Sequence, residues 1–148
     1  MSARIRATEP VVTLLLVGAA TLLAFGAWKA TRTEAERLPA GDVLVASKGE
    51  AFDVRAFIAP GKYTIFDFYA DWCAPCRVVE PKLRQLAAQR DDVAVRKVDI
   101  VDWSSPVVKQ HGLTALPHMQ VYDPNGTLVA QGDDAYGVVE ELFGIEIF

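Results

Sequence analysis

Residues 63 to 76, YTIFDFYADWCAPC, constrain the fold of this chain more than any other stretch. The first eight are β-branched and aromatic side chains apart from Ala70 and a single acid, Asp67, and read as a buried strand. Beyond them, apolar side chains recur at Val79, Leu83, Leu86 and Ala87, a helical spacing that runs from Cys73 to Gln89. The joint between strand and helix holds Cys73 and Cys76, the only two cysteines in 148 residues. Any fold for this chain must therefore present both sulfurs where a buried strand turns into a helix.

The neighbouring segments supply the rest of an α/β domain. AFDVRAF (51–57) alternates weakly and predicts a first strand, followed by the turn Pro60-Gly61 and the strand 63–70. VAVRKVDI (93–100) reads as another buried strand. Ser104 or Ser105 is suited to cap a short helix through His111, with Pro106 in its first turn and Gly112 ending it. HMQVYD and TLVAQ flank Pro124-Asn125-Gly126 and predict a hairpin. A last amphipathic helix starts at Asp133 or Asp134 and runs through Leu142 and Phe143. The order β-β-α-β-α-β-β-α implies a mixed central sheet flanked by helices on both faces, formed by residues 42–148.

Composition matters for what lies ahead of that domain. The chain is 51% hydrophobic, and the excess sits in residues 10–28, PVVTLLLVGAATLLAFGAW, which carry no charge. Nineteen residues as a helix reach about 28 Å, close to the ~30 Å hydrocarbon thickness of a bilayer. The expected organisation is a short basic tail (1–9), a transmembrane anchor (10–28), a charged linker broken at Pro39 and Gly41 (29–41), and the domain. A signal peptide cleaved near Ala24-Phe25-Gly26 is the second reading. A core helix, the third, would show a polar face, and this segment has none. Basic residues flank both ends of the segment, so the charge rule does not choose an orientation. A short basic tail that stays in the cytoplasm would export everything after Trp28.

Residues 42–148 hold 10 basic and 16 acidic side chains, a balance of −6 with no basic stripe to follow phosphates, which argues against nucleic acid as a partner. The chemistry instead lies with sulfur. A thiolate at the start of a helix is favoured by unpaired amides and by the macrodipole, so the pKa of Cys73 should fall below its ordinary ~8.5. Cys76, three residues on, lies within reach of whatever sulfur Cys73 has engaged. Cys73 would attack a target disulfide, and Cys76 would then resolve the mixed disulfide. Pro75 stiffens the intervening turn and Ala74 leaves the approach open. Cys76 must lose a proton, and Asp67, buried behind it, can accept one through water. The other reading of Asp67 turns it to solvent on a twisted strand, although Phe66 and Phe68 cannot share its face.

With these residues in view, the chain resembles the thioredoxin family. FDFYADWCAPC matches that family's active-site stretch, and a C-x-x-C near a βαβ pattern is its redox signature. Pro81 falls where thioredoxins kink the following helix, and Lys97 matches the lysine they pair with the buried acid. LTALPHMQVY matches the segment with their cis-proline, so Pro117 should be cis and Leu116 should present its backbone to substrate beside Cys73. Gly132 lies near a late family glycine. The resemblance implies the thioredoxin fold and catalytic roles for Cys73, Cys76, Asp67 and Lys97. It also implies a substrate contact at Leu116 and Pro117, and Trp72, Ala74, Pro75 and His118, which adjoin these motifs, read as the rest of the substrate-binding surface. No cofactor is expected beyond the Cys73–Cys76 disulfide, and no metal. The chain departs from the family at Ala74-Pro75, where Gly-Pro is commoner, and at Tyr69, where tryptophan is common. The anchor is similar to that of membrane thioredoxins serving cytochrome maturation, but their central insertion is missing.

The expected protein is thus a thiol-disulfide oxidoreductase, a monomer held in the bacterial inner membrane by one span and facing the periplasm. It would reduce cysteine-containing exported proteins with electrons from a transmembrane dithiol donor. A second function class is a non-catalytic membrane assembly module, or a copper carrier using the same cysteine pair. A zinc site completed by His111 and His118 fits no common ligand spacing. A purely structural Cys73–Cys76 disulfide closes almost no loop. His111 reads as a C-terminal helix residue favoured by the dipole, and Trp103 as packing.

Overall fold

The computed structural model describes residues 41–148. The tail, the span and almost all of the linker expected above lie outside the described residues. Among those described, no helix is long and apolar enough to cross a membrane. Within the described residues, five strands and three α-helices follow one another: β1 (Val43–Lys48), β2 (Tyr63–Tyr69), α1 (Cys76–Gln89), β3 (Val93–Asp99), α2 (Pro106–His111), β4 (His118–Tyr122), β5 (Leu128–Gln131) and α3 (Asp133–Phe143). They form one sheet in the order β1-β3-β2-β4-β5. β3 pairs parallel with both β1 and β2, and β4 is antiparallel to β2 and β5. This is the mixed sheet expected from the sequence.

One expected strand is corrected. Residues 54–57 form a 3-10 turn, because the Asp53 carboxylate accepts the backbone N–H of Arg55 at 3.0 Å and draws the chain into a local bend. The first strand lies upstream at 43–48, where Leu44 and Val45 are exposed at the sheet edge and leave little alternation to read. The helix that follows β2 also starts later than expected, at Cys76 and not at Cys73. Pro81 lies within it, and the helix continues past it to Gln89.

Strand β2 is buried on both faces, and each face has its own core. Ile65 packs with Val79, Leu83 and Leu86 of α1, Val93 and Val95 of β3, and Ala135 and Val139 of α3. Phe66 and Phe68 point the other way, into Val98, Ile100 and the α2 residues Val107 and Val108. Helices therefore cover both faces of the sheet. The carboxyl-terminal segment closes the first core: Ile147 is fully buried, its N–H donates to Glu140 Oε1 at 2.8 Å, and Lys82 Nζ donates to its carbonyl at 3.1 Å.

The approach to β1 passes directly over the end of α1. A Cβ on Gly41 would stand 2.2 Å from the backbone carbon and oxygen of Ala87, atoms that cannot swing aside. Gly41→Ala should cost about 1–3 kcal/mol by overpacking. A lower urea midpoint at unchanged slope would register it, and an unchanged midpoint would show that the approach is free to move.

Candidate functional site

Cys73 sits in the turn between β2 and α1, its N–H bonded to Ala70 O at 3.0 Å. Arg77 N–H and Val78 N–H close back onto Ala74 and Pro75 carbonyls at 3.2 and 3.0 Å, so the helix winds tightly from its first residue. The Cys76 amide has no helical acceptor and donates to Cys73 Sγ at 3.2 Å. A sulfur at position 73 therefore receives a helix-terminal N–H, the arrangement that favours negative charge there. The two sulfurs are bonded, S–S 2.00 Å with Cα atoms 5.4 Å apart. Both residues are 4% exposed in this oxidised state. The sequence alone reads as an exposed Cys73 with Cys76 deeper behind it, but the bonded pair is equally buried, and what distinguishes the two is position relative to the helix start.

Around the pair the surface is open and apolar. Ala74 and Pro75 are exposed. Trp72 is exposed, its indole N–H donates to Val101 O at 2.8 Å, and its ring lies 5.9 Å from that of Trp103. Trp103, read as packing, packs against Trp72 and is itself exposed on this surface. Val101 holds φ at 61°, a left-handed conformation unusual for a β-branched residue. Asp99 secures it by accepting its N–H at 2.8 Å. Leu116 packs against the cluster that contains both cysteines, Leu116–Pro117 is cis, and the Pro117 carbonyl accepts from Tyr136 Oη at 2.7 Å.

Asp67 is 1% exposed, so the solvent-facing reading of this residue is wrong. Its Oδ1 has no hydrogen-bond partner, and burial lifts its pKa from 3.8 to about 7 against the attraction of Lys97. The β2–β3 register places Asp67 directly beside Lys97. Yet Lys97 Nζ does not bond it. The ammonium reaches Glu80 Oε1 at 2.5 Å and lies 4.0 Å from the centre of the Tyr69 ring. The hydrogen bond from Lys97 holds the Glu80 carboxyl below its ordinary pKa. Sequence reasoning missed Glu80, although its place four residues after Cys76 on a helix was a usable signal. It also missed Tyr136.

His118 and His111 lie on the opposite face of the sheet from Asp67. The His118 ring is 5.6 Å from Phe68, and His111 is 4.7 Å from Phe68 and 5.4 Å from Phe52. Burial lowers the pKa of both. His111 is the last residue of α2, as read from the sequence, and burial there works against its charged form. The Nε2 atoms of both are buried and unpaired. Among the described residues, no three His, Cys, Asp or Glu side chains gather as a metal site requires.

A thioredoxin family profile matches residues 43–140. The chain is 38% identical to thioredoxin-T of Drosophila melanogaster over 66 residues, which is 44% of this chain and 41% of that protein. It is 35% identical to thioredoxin of Chlamydia caviae over 72 residues, or 49% of this chain and 69% of that one. It spans less than half the length of several relatives, 47% in the case of chloroplastic thioredoxin F1 of Arabidopsis thaliana. Among solved structures, the long form of spinach chloroplast thioredoxin f aligns at TM-score 0.54 and 24% identity, over 70% of this chain and 85% of that one. Thioredoxin f2, in its complex with ferredoxin:thioredoxin reductase, aligns at 0.52 and 23%, over 70% and 96%. These two structures share the fold.

Proposed function

The chain belongs to the thioredoxin family, and on that premise we propose that it is a thiol-disulfide oxidoreductase that reduces disulfides in other proteins. The observation that carries the reading is the Cys73–Cys76 pair, bonded at the mouth of α1 on a domain that holds the buried Asp67, whose Oδ1 has no partner. In the reduced pair, Cys73 attacks one sulfur of a target disulfide. That bond breaks, its electron pair leaves on the target's other sulfur, and a mixed disulfide remains. Cys76 gives its proton to Asp67 and attacks Cys73 Sγ. The target's second sulfur departs as a thiolate and takes a proton from solvent. The target has gained two electrons, and Cys73–Cys76 is oxidised as seen here.

Trp72, Trp103 and the Leu116–Pro117 segment would seat the target beside Cys73, with His118 tuning that contact. Lys97 would act on Asp67 by its field. Test and outcome are direct: the full chain in detergent should precipitate insulin by reducing it with dithiothreitol as electron source. Failure to do so ends the enzyme reading. Direction can be checked against glutathione: a reductant of this kind should poise near the ~−270 mV of thioredoxin, and a value near ~−120 mV would make it an oxidant.

Residues 10–28 would anchor the domain in the bacterial inner membrane, with residues 42–148 in the periplasm. What supports this is the uncharged 19-residue run behind a short basic tail. Targets would be cysteine pairs in exported proteins, and electrons would come from a transmembrane dithiol carrier. A carboxyl-terminal alkaline phosphatase fusion, active only when exported, should be active. An inactive but stable fusion would place the domain on the other side.

A further inference from the structure

We propose that Glu80 is a positioning residue that holds the Lys97 ammonium away from Asp67, leaving the Asp67 carboxylate free to take the proton of Cys76 when the mixed disulfide is resolved. This rests on the thiol-disulfide reading above and names a residue that acts through Lys97.

The β2–β3 register makes Lys97 the natural partner of Asp67, side by side on one face of the sheet. Two buried opposite charges so placed would form an ion pair, lower the pKa of Asp67 and make it a weaker base toward a thiol. The ammonium instead turns to Glu80 Oε1 at 2.5 Å and rests over the Tyr69 ring at 4.0 Å. Arg84 Nε grips the same Glu80 oxygen at 3.0 Å, so the acceptor is itself tethered along the helix. Lys97 is only 6% exposed at its side chain, so it has no solvent-facing alternative. Asp67 Oδ1 is left with no partner at all.

Every charge facing Asp67 fits this arrangement. From β3 comes Lys97, from α1 Glu80 and Arg84, and from α3 Tyr136 with Asp133 behind it. Tyr69 lies two residues along β2 on the same face, and β4 contributes only the uncharged Met119 in register. Of the two carboxyls near this lysine, only Glu80 binds it. Glu80 is pushed below its ordinary pKa by the hydrogen bond, and Asp67 is pushed above its own by burial. Such a split assigns the proton-carrying role to Asp67. Glu80 lies one helical turn beyond Cys76, so the latch and the sulfur it serves move with the same helix.

The test uses the reduced full chain, with Cys73 loaded as a mixed disulfide with thionitrobenzoate. Release of the yellow thiol by Cys76 is followed by stopped flow from pH 5 to 9. In the unmodified chain, release should rise with a midpoint near 7. In Glu80→Ala the freed ammonium should reach Asp67 and move the midpoint acidward by about 1 pH unit or more, since an opposite charge at ~4–6 Å lowers a carboxylate by ~1–3 units. Glu80→Gln, which keeps an acceptor for Lys97, should move it less. In a Lys97→Met background, Glu80→Ala should lose at least half of its shift. Arg84→Gln should not move the midpoint acidward. A Glu80→Ala midpoint that coincides with the unmodified one, or a shift of equal size with and without Lys97, overturns the proposal. No release from the unmodified chain would overturn the dithiol reading itself, and this proposal with it.

Discussion

Replacing Cys76 with serine is expected to stop multiple turnover and leave Cys73 covalently attached to its target. The first step needs only the Cys73 thiolate, which keeps its place at the helix mouth where the amide of residue 76 still points at its sulfur. The second step needs a sulfur that serine does not have. Insulin reduction should fall on the order of 1,000-fold or more, as when other members of a covalent machinery are removed. Non-reducing gels should show a dithiothreitol-sensitive adduct at the combined mass. Cys73→Ser should lose turnover equally and form no adduct. If instead Cys73→Ser formed the adduct and Cys76→Ser did not, the two sulfurs would have exchanged roles, and the assignment built on the helix start would be wrong.

Asp67→Asn should make the domain more stable and the reaction slower, with the gain in stability confined to the upper part of the pH range. The folded-state pKa of about 7 lies above the ordinary 3.8. The folded protein therefore holds this proton where the unfolded chain has released it. Below pH 4 both states are protonated and the residue costs nothing through ionisation. As pH rises from 4 to 7 the unfolded state is progressively favoured, and above 7 the penalty is complete, roughly 4 kcal/mol for a shift of about three units. Asparagine is neutral at every pH and nearly the same shape, so it should match the native residue at pH 4. At pH 8 it should raise the melting temperature by roughly 10–20 °C. Without the carboxylate, resolution by Cys76 should slow by about 100-fold or more near neutrality. A gain in melting temperature that is equal at pH 4 and pH 8 would mean that ionisation of Asp67 is not its source.

Much of this arrangement was legible in the sequence because it depends on local pattern. The β2 run, the α1 periodicity, the Pro106 and Gly112 boundaries of α2 and the hairpin at Pro124-Gly126 are all set by residues close in the chain. The edge strand β1 was misplaced for a complementary reason. It is held by parallel pairing to β3, about fifty residues away, and its half-exposed side chains carry no clear period. Trp103 was read as packing because nothing in its neighbours reports that it meets Trp72 across thirty residues.

The sequence by itself determined that two cysteines would stand where a buried strand enters a helix, with an acid in that strand, because spacing and hydrophobic period are properties of the chain. Only the tertiary structure decided where the lysine beside that acid would point. Register brings Lys97 to Asp67, but helix α1 brings Glu80 within 2.5 Å of the same ammonium, and a buried ammonium goes to the carboxylate it can reach in hydrogen-bonding geometry. That choice between two carboxylates is a matter of ångströms between a strand and a helix, and distances between separate elements are not written in either one's sequence.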